Sequence, residues 1–225
     1  MKYYSYCEYI LELAQVSSCE LISKYAPGIC EHEPKTLLTF PKYRNGKRRI
    51  SEQELRFAFA CNHGKIAHPG FTFSIETPTV EKYGFSGGGE RSAMSDMSFY
   101  KDCVKVINIE FKSGNPSQNA IDKDIEKLTK EPVIGVWAHI FEMEDSGTVE
   151  ALFDKFNKAF KKFPVSKKPI AFHILILKSG VLLSRKCRDE NLKYSRGIFN
   201  IKYEDWNNVS RGRHFINDWQ IDKFI

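Results

Sequence analysis

The stretch at 133–141, VIGVWAHIF, limits how this chain folds more than any other feature, because it is almost wholly apolar. A strand of this composition is typical of the centre of a sheet that is covered on both faces. A helix is predicted just before it, from Ser117 onward, with Ile121, Ile125 and Leu128 on one stripe. Together these patterns predict an α/β fold, a mixed central sheet flanked by helices, with His139 as a hydrogen-bonded core residue. The charged residues of the helix are expected on its solvated face: Asp122, Lys123, Asp124, Glu126 and Lys127.

A second strand is predicted at 104–112, where β-branched residues precede Glu110, Phe111 and Lys112. Alternate side chains of a strand share a face, so Glu110 and Lys112 point one way and Phe111 points into the core. In a simple hairpin with its turn at 101–103, Asp96 lies directly across from Glu110. Their Cβ atoms are then about 5 Å apart.

Two unpaired carboxylates at this distance repel each other, and burying them is costly unless a cation lies between them. Carboxylate oxygens favour Mg²⁺ over Zn²⁺, with Mn²⁺ as the expected substitute. Lys112 is placed to hold an attacking water or to neutralise charge on a phosphate. The competing interpretation is a charged pair on an exposed strand face, and a second Glu-x-Lys at 33–35 shows how easily the triplet arises.

The order helix, strand, Asp-bearing strand, Glu-x-Lys strand, helix, strand at about 50 to 141 resembles the core of the PD-(D/E)XK nuclease superfamily, the restriction-endonuclease-like fold. The proline of the family's motif is absent, and Ser95 precedes Asp96. The resemblance implies that Asp96 and Glu110 bind the metal together with the Phe111 backbone carbonyl. It also implies that Lys112 orients the nucleophile.

Members of this superfamily commonly carry an acidic residue on the helix before the first core strand. Here a capping box of Ser51 and Glu54 predicts that helix, and Glu54 becomes a catalytic candidate. Glu54 can serve the metal only if its carboxylate is not committed to the cap, and Glu52 is the fallback. Gln118, in the first turn of the later helix, is included as a supporting residue of lower weight.

The first core strand is predicted at 71–76 and is expected to end before Pro78. Glu76, at its end, is a second supporting candidate of lower weight. A loop at 84–92 follows, whose consecutive glycines let backbone amides approach a phosphate that Arg91 could clamp. The alternative for this segment is a mobile surface loop.

Basic residues crowd the loop before the capped helix: Lys42, Arg44, Lys47, Arg48 and Arg49. Phosphate contacts from this cluster would position nucleic acid without reading its sequence. Smaller clusters at 161–168 and 211–214 carry less weight, and a solvated surface is the alternative for each. The net charge of +6 is compatible with a polyanionic partner without requiring one.

A single domain is predicted for the 225 residues, since the chain has neither a Pro/Ser-rich linker nor an internal repeat. It comprises a core at about 50–141, an N-terminal helical and basic-loop extension at 1–49, and a C-terminal α/β extension at 142–225. The six cysteines lack paired spacing and are expected to be reduced thiols. The N-terminus is too polar for a signal peptide and no apolar run approaches a membrane span, so a soluble, cytoplasmic protein without a membrane partner is expected.

These patterns predict a magnesium-dependent nuclease, most concretely a DNA endonuclease of restriction or defence type. DNA is favoured over RNA as the partner, and a homodimer is expected if both strands of a duplex are cut. The alternative is a non-catalytic nucleic-acid-binding or assembly module that retains the nuclease fold. A small-molecule hydrolase using the same metal is a weaker third interpretation, because the basic approach loop argues against it.

Overall fold

The elements of this chain form one sheet with helices on both faces. The computed structural model describes residues 2–27, 38–66, 70–84, 89–142, 146–164, 166, 168–185, 199 and 201–225. The helices are α1 Lys2–Tyr25, α2 Glu52–His63, α3 Gln118–Lys130, α4 Ser146–Lys162 and α5 Tyr203–Asn207. The strands are β1 Phe71–Gly84, β2 Glu90–Lys101, β3 Val104–Ser113, β4 Ile134–Phe141, β5 Ile170–Ile176, β6 Val181–Arg185, β7 Gly212–Ile216 and β8 Trp219–Lys223.

The eight strands lie in the order β1-β2-β3-β4-β5-β6-β8-β7. β3, β4 and β5 are parallel to one another, and every other neighbouring pair is antiparallel. The helices α3 and α4 form the two crossovers between the parallel strands, as parallel pairing requires. The predicted α/β class and mixed, helix-flanked sheet are therefore confirmed.

The strand β4 is buried along its whole length, as predicted, and its alternating side chains enter two different cores. Ile134, Val136 and Ala138 pack in the core that α1 and α2 cover. Trp137 and Phe141 pack in the core that α3 and α4 cover. Glu110 and Lys112 of β3 alternate with core residues of the α1–α2 face and so point towards α3.

The β2–β3 hairpin has the predicted register, although its turn differs. The opposed pairs next to the site are Met97 with Ile109, Ser98 with Asn108, and Phe99 with Ile107. They put Asp96 level with Glu110. The turn consists only of Asp102 and Cys103, both with positive φ (53° and 61°), as in a type I′ hairpin. The turn is one residue shorter than predicted, but a bulge after Phe99 adds one residue to β3. The bulge therefore restores the predicted pairing of Phe99 with Ile107 and of the pairs beyond it.

The strand β1 is longer than predicted and runs through Pro78 to Gly84. An edge strand tolerates a proline, and the register shifts between Pro78 and Lys82. The Glu131 carboxylate accepts hydrogen bonds from the backbone N–H groups of Val80 and Glu81 at 3.1 and 2.9 Å, within the shifted segment. Since β1 ends at Gly84 and β2 begins at Glu90, the ends of the predicted loop at 84–92 belong to these two strands, and 85–88 lie outside the described residues.

The C-terminal strands β6, β8 and β7 extend the same sheet beyond β5. The strands β5 and β6 form an antiparallel pair. Trp206 and Trp219 are buried in the core under α4. Within the described residues, no helix is long and apolar enough to cross a membrane.

Candidate functional site

The site begins where β2 and β3 separate. The hydrogen-bonded pairing of β2 with β3 ends at Met97 and Ile109. Beyond this pair, β3 donates to the Asp96 side chain instead of to the β2 backbone. The Asp96 Oδ2 accepts a hydrogen bond from the Phe111 N–H at 2.7 Å. The two strands thus open a gap whose floor is the Phe111 peptide and whose edge is a carboxylate.

Glu110 is the most deeply buried carboxylate of the site, with 1% of its surface exposed. Its Oε2 accepts from Lys127 Nζ at 2.5 Å, whereas its Oε1 has no hydrogen-bond partner. Burial, reinforced by the nearby charge of Asp124, raises the pKa of Glu110 well above its usual range. A buried acceptor without a donor is costly, and it is the arrangement that a cation would relieve.

Lys112 points from β3 into the same region. Its ammonium pairs with Asp124 Oδ2 at 2.8 Å and donates to the Phe111 carbonyl oxygen at 3.1 Å. Burial is the largest influence on its pKa and lowers it, but the attraction of Asp124, Asp96 and Glu110 leaves that pKa raised. Lys112 therefore remains an ammonium at neutral pH, which suits it to orienting and neutralising rather than accepting a proton.

Two charged residues of α3 also belong to the site, and the prediction that they lie on its solvated face is wrong. Asp124 is buried, and Lys127 bridges Glu110 and Asp124 Oδ1 at 2.5 and 2.9 Å. The helical spacing could have revealed Asp124, because positions 121, 124 and 128 share one stripe of a helix.

The helix α2 contributes Glu52 rather than Glu54. The Glu54 carboxylate accepts from the Ser51 N–H at 2.8 Å and from the Ser51 hydroxyl at 2.5 Å, so it is committed to the cap. Burial raises the pKa of Glu52, whose charge also interacts with Lys112, Asp96, Arg56 and Asp124. The acidic residue of α2 that shares the site is thus Glu52, the fallback candidate, and not Glu54.

Arg56 is a site residue that sequence reasoning missed. Only 8% exposed, it bridges Glu76 Oε1 and Asp96 Oδ1 at 2.9 and 3.0 Å. The register of β1 on β2 places Glu76 level with Asp96, and Glu76 itself has a positive φ of 51°. The only sequence signal for Arg56 was a charge in an otherwise apolar turn of α2.

We call these eight side chains the carboxylate cluster: Glu52, Arg56, Glu76, Asp96, Glu110, Lys112, Asp124 and Lys127. Its five carboxylates and three cations leave two formal negative charges. Within the described residues, no three or more His, Cys, Asp or Glu side chains are gathered as a metal-binding group. Arg56 lies between Glu76 and Asp96, and Lys127 lies between Glu110 and Asp124, so cations separate these carboxylates.

Gln118 points away from the cluster. Its amide donates to Asp122 Oδ1 at 2.7 Å and to the Lys155 carbonyl at 3.0 Å, and so ties α3 to α4.

The antiparallel strands β1 and β2 form what we call the β1–β2 arm. A cleft of about 760 Å³ opens beside the cluster, between this arm and α3. Its lining includes Arg91 and Met94 of β2 and Lys123, Asp124 and Lys127 of α3. The cluster therefore communicates with a space of the size that ligands occupy in proteins.

The basic segment before α2 is a small hairpin, closed by hydrogen bonds from the Tyr43 N–H to the Lys47 carbonyl at 2.8 Å and from the Arg49 N–H to the Pro41 carbonyl at 2.7 Å. Its exposed side chains include Lys42, Tyr43, Arg44, Lys47 and Arg49. Arg48 differs, because its guanidinium lies over the Tyr25 ring, 4.5 Å from the centroid. The hairpin thus displays several cations around a Tyr43 ring that is 56% exposed.

No protein-family model matches this chain, and neither characterised proteins nor solved structures show significant similarity to it. The described residues define it as an α/β protein with a mixed eight-stranded sheet and a cluster of carboxylates and cations in which Arg56, Glu110 and Asp124 are buried. Its chemistry follows from the side chains of that cluster.

Proposed function

We propose that this protein is a metal-dependent phosphodiester hydrolase, a Mg²⁺-dependent DNA endonuclease of restriction or defence type. The order α2, β1, β2, β3, α3, β4 supports a restriction-endonuclease-like core at 50–141. The observation that carries the proposal is the unpartnered Oε1 of buried Glu110, in a cluster with two surplus negative charges. That arrangement calls for a divalent cation bound by oxygen.

The residues that would hold Mg²⁺ or Mn²⁺ are Asp96, Glu110 and the Phe111 carbonyl. All three present oxygen, and the free Oε1 of Glu110 fits the ion, so the donor set suits a hard cation. When bound, the metal supplies electrostatic stabilisation of the phosphate and a water of lowered pKa.

The protein's own groups orient the reaction. The Phe111 N–H and Arg56 hold the Asp96 carboxylate from two sides. Lys112, kept protonated by its acidic neighbours, orients the attacking water and neutralises charge that develops on the phosphate. Glu52 adds a third acidic group from α2.

Nucleic acid is the proposed substrate because cations line part of the cleft and crowd the segment before α2. Lys123 and Arg91 line the cleft beside the cluster. The basic hairpin closes at Arg49, three residues before Glu52, so the Arg49 Cα lies within about 10 Å of the Glu52 Cα. Phosphate contacts of this kind supply affinity that does not depend on sequence.

The test is cleavage of plasmid, linear duplex, single-stranded DNA and RNA with Mg²⁺ or Mn²⁺. Wild type is expected to cut at least one DNA substrate, and Lys112→Ala and Asp96→Ala are expected to cut none. The exposed α4 residues Lys161 and Asp154 provide matched controls, Lys161→Ala and Asp154→Ala, which should cut like wild type. Absence of cleavage by wild type, or wild-type cleavage by the Lys112 and Asp96 variants, overturns the proposal.

The non-catalytic alternative is favoured by one observation: Arg56, Lys112 and Lys127 already pair with four carboxylates of the cluster. A binding or assembly module predicts nucleic-acid binding that survives chelator. It also predicts that Asp96→Asn leaves binding unchanged and that Mn²⁺ does not bind the cluster.

A further inference from the structure

The ammonium of Lys127 sits in a cage of oxygen atoms. Glu110 Oε2, Asp124 Oδ1 and the Met94 carbonyl oxygen lie 2.5, 2.9 and 3.0 Å from its Nζ. Two carboxylates and a carbonyl are also the donors that a hard divalent cation selects. Lys127 therefore acts as the resident cation of this part of the cluster.

The side chain of Lys127 also has open space beside it. It lines the cleft between the β1–β2 arm and α3, together with Arg91 and Lys123. A lysine carries its charge on a flexible four-carbon stem, so rotation of side-chain bonds can carry the ammonium from the carboxylates into the cleft. The α3 backbone need not move.

We propose that Lys127 is a displaceable internal counter-ion: a divalent metal binding at Glu110 expels its ammonium into the cleft, where it meets a phosphate of the substrate. In the metal-free protein the ammonium keeps the buried Glu110 and Asp124 compensated. Metal and ammonium share the Glu110 carboxylate and repel each other, so they compete. This inference rests on the proposed function, because the competitor is the proposed metal.

The first experiment measures Mn²⁺ binding by isothermal titration calorimetry at constant pH, without nucleic acid. It compares wild type, Lys127→Met and the exposed control Lys161→Met. Methionine keeps most of the length of the side chain and removes the charge. Lys127→Met is expected to bind Mn²⁺ at least ~10-fold more tightly than wild type, because the competing charge is gone, whereas Lys161→Met should match wild type.

The second experiment uses wild type alone and so does not depend on a variant that folds. Amine acetylation is quantified residue by residue by mass spectrometry, with and without saturating Mg²⁺. Lys127, whose side chain is 13% exposed and ion-paired, is expected to react slowly without metal and several-fold faster with it. Exposed Lys161 should react at the same rate in both conditions.

The outcomes separate this inference from the proposed function. If neither wild type nor Lys127→Met binds Mn²⁺, both fail. The counter-ion inference alone fails if wild type binds Mn²⁺ but Lys127→Met binds it no more tightly. It also fails alone if wild type binds Mn²⁺ but the rate of Lys127 acetylation is the same with and without Mg²⁺. Tighter binding by Lys127→Met together with metal-dependent acetylation of Lys127 supports it.

Discussion

The Asp96 carboxylate accepts a hydrogen bond from the Phe111 N–H at 2.7 Å and thereby bridges the gap at which β2 and β3 part. A side chain here replaces the main-chain acceptor that a continuing ladder would supply. The separation of the strands exposes the Phe111 carbonyl to Lys112, and the same carboxylate receives Arg56. Asp96 thus lies both at the end of the β2–β3 pairing and at the start of the carboxylate cluster.

Asp96→Asn should separate the structural role of this residue from its chemical role. Asparagine can still accept from the Phe111 N–H, so we expect urea unfolding within about 1 kcal/mol of wild type. Loss of the charge should lower Mn²⁺ affinity at least ~10-fold and abolish cleavage. Asp96→Ala should in addition lose ~1–3 kcal/mol of stability, because the N–H is left without its acceptor. Equal stability of the two variants would contradict the role of the hydrogen bond.

Glu54 and Glu52 should give opposite results, although they are two residues apart on α2. Glu54→Ala removes the acceptor of the capping box and should cost about 1 kcal/mol, with Mn²⁺ affinity unchanged. Glu52→Gln removes a carboxylate whose charged form is disfavoured by burial, so stability should hold or rise while Mn²⁺ affinity falls. Calorimetry and urea unfolding on both variants check this, and the reverse pattern would restore Glu54 to the site.

Glu131 should anchor the β1–β2 arm. Its buried carboxylate accepts from the Val80 and Glu81 N–H groups, and Lys105 Nζ lies 3.6 Å away. Glu131→Ala leaves these donors unmatched, and we expect a loss of about 3 kcal/mol. Hydrogen exchange at Val80 and Glu81 should accelerate more than at the β4 amides. Unchanged exchange at these two positions would rule out the anchoring role.

The buried histidines should make the fold less stable in mild acid. Burial lowers the pKa of His173 to about 4 and that of His139 to about 3, both below the ordinary value near 6.5. As pH falls through 6.5 the unfolded chain takes up protons that the folded chain refuses, so stability is full above 6.5 and declines towards pH 4. Near pH 5 the loss is about 2 kcal/mol per histidine.

The measurement for the histidines is urea unfolding of wild type and His173→Asn from pH 7.5 to 4.5. The difference in stability between the two proteins should shrink as pH falls, because the variant lacks one proton acceptor in its unfolded state. A difference that does not depend on pH would contradict the assignment of His173 as buried and neutral.

The basic hairpin should contribute affinity that depends on salt rather than on sequence. Removing one cation that neutralises a phosphate lowers the slope of log K against log salt by about 0.9 for duplex DNA. Lys47→Gln with Arg49→Gln should therefore reduce that slope by about 2, measured by fluorescence anisotropy in EDTA to prevent cleavage. Lys161→Gln with Lys162→Gln on α4 is the matched control. Equal slopes for the two double variants would exclude the hairpin from the nucleic-acid interface.

Local patterns predicted much of the fold. The apolar run of β4, the stripe of α3 and the capping box of α2 are all present, because each depends on residues within one element. Pro78 misled the prediction of β1, since an edge strand needs no N–H donor at every position.

The sequence by itself determined that Glu110 and Lys112 share a face of β3 and that Asp96 stands level with Glu110. Strand alternation and hairpin register are short-range properties of the chain. Only the tertiary structure decided which charges meet them. Asp124 and Lys127 enter the site because α3 docks over β3, and Glu52 and Arg56 enter it because α2 begins beside the gap. Such pairings depend on how helices are placed on the sheet, and placement is set by packing among distant residues.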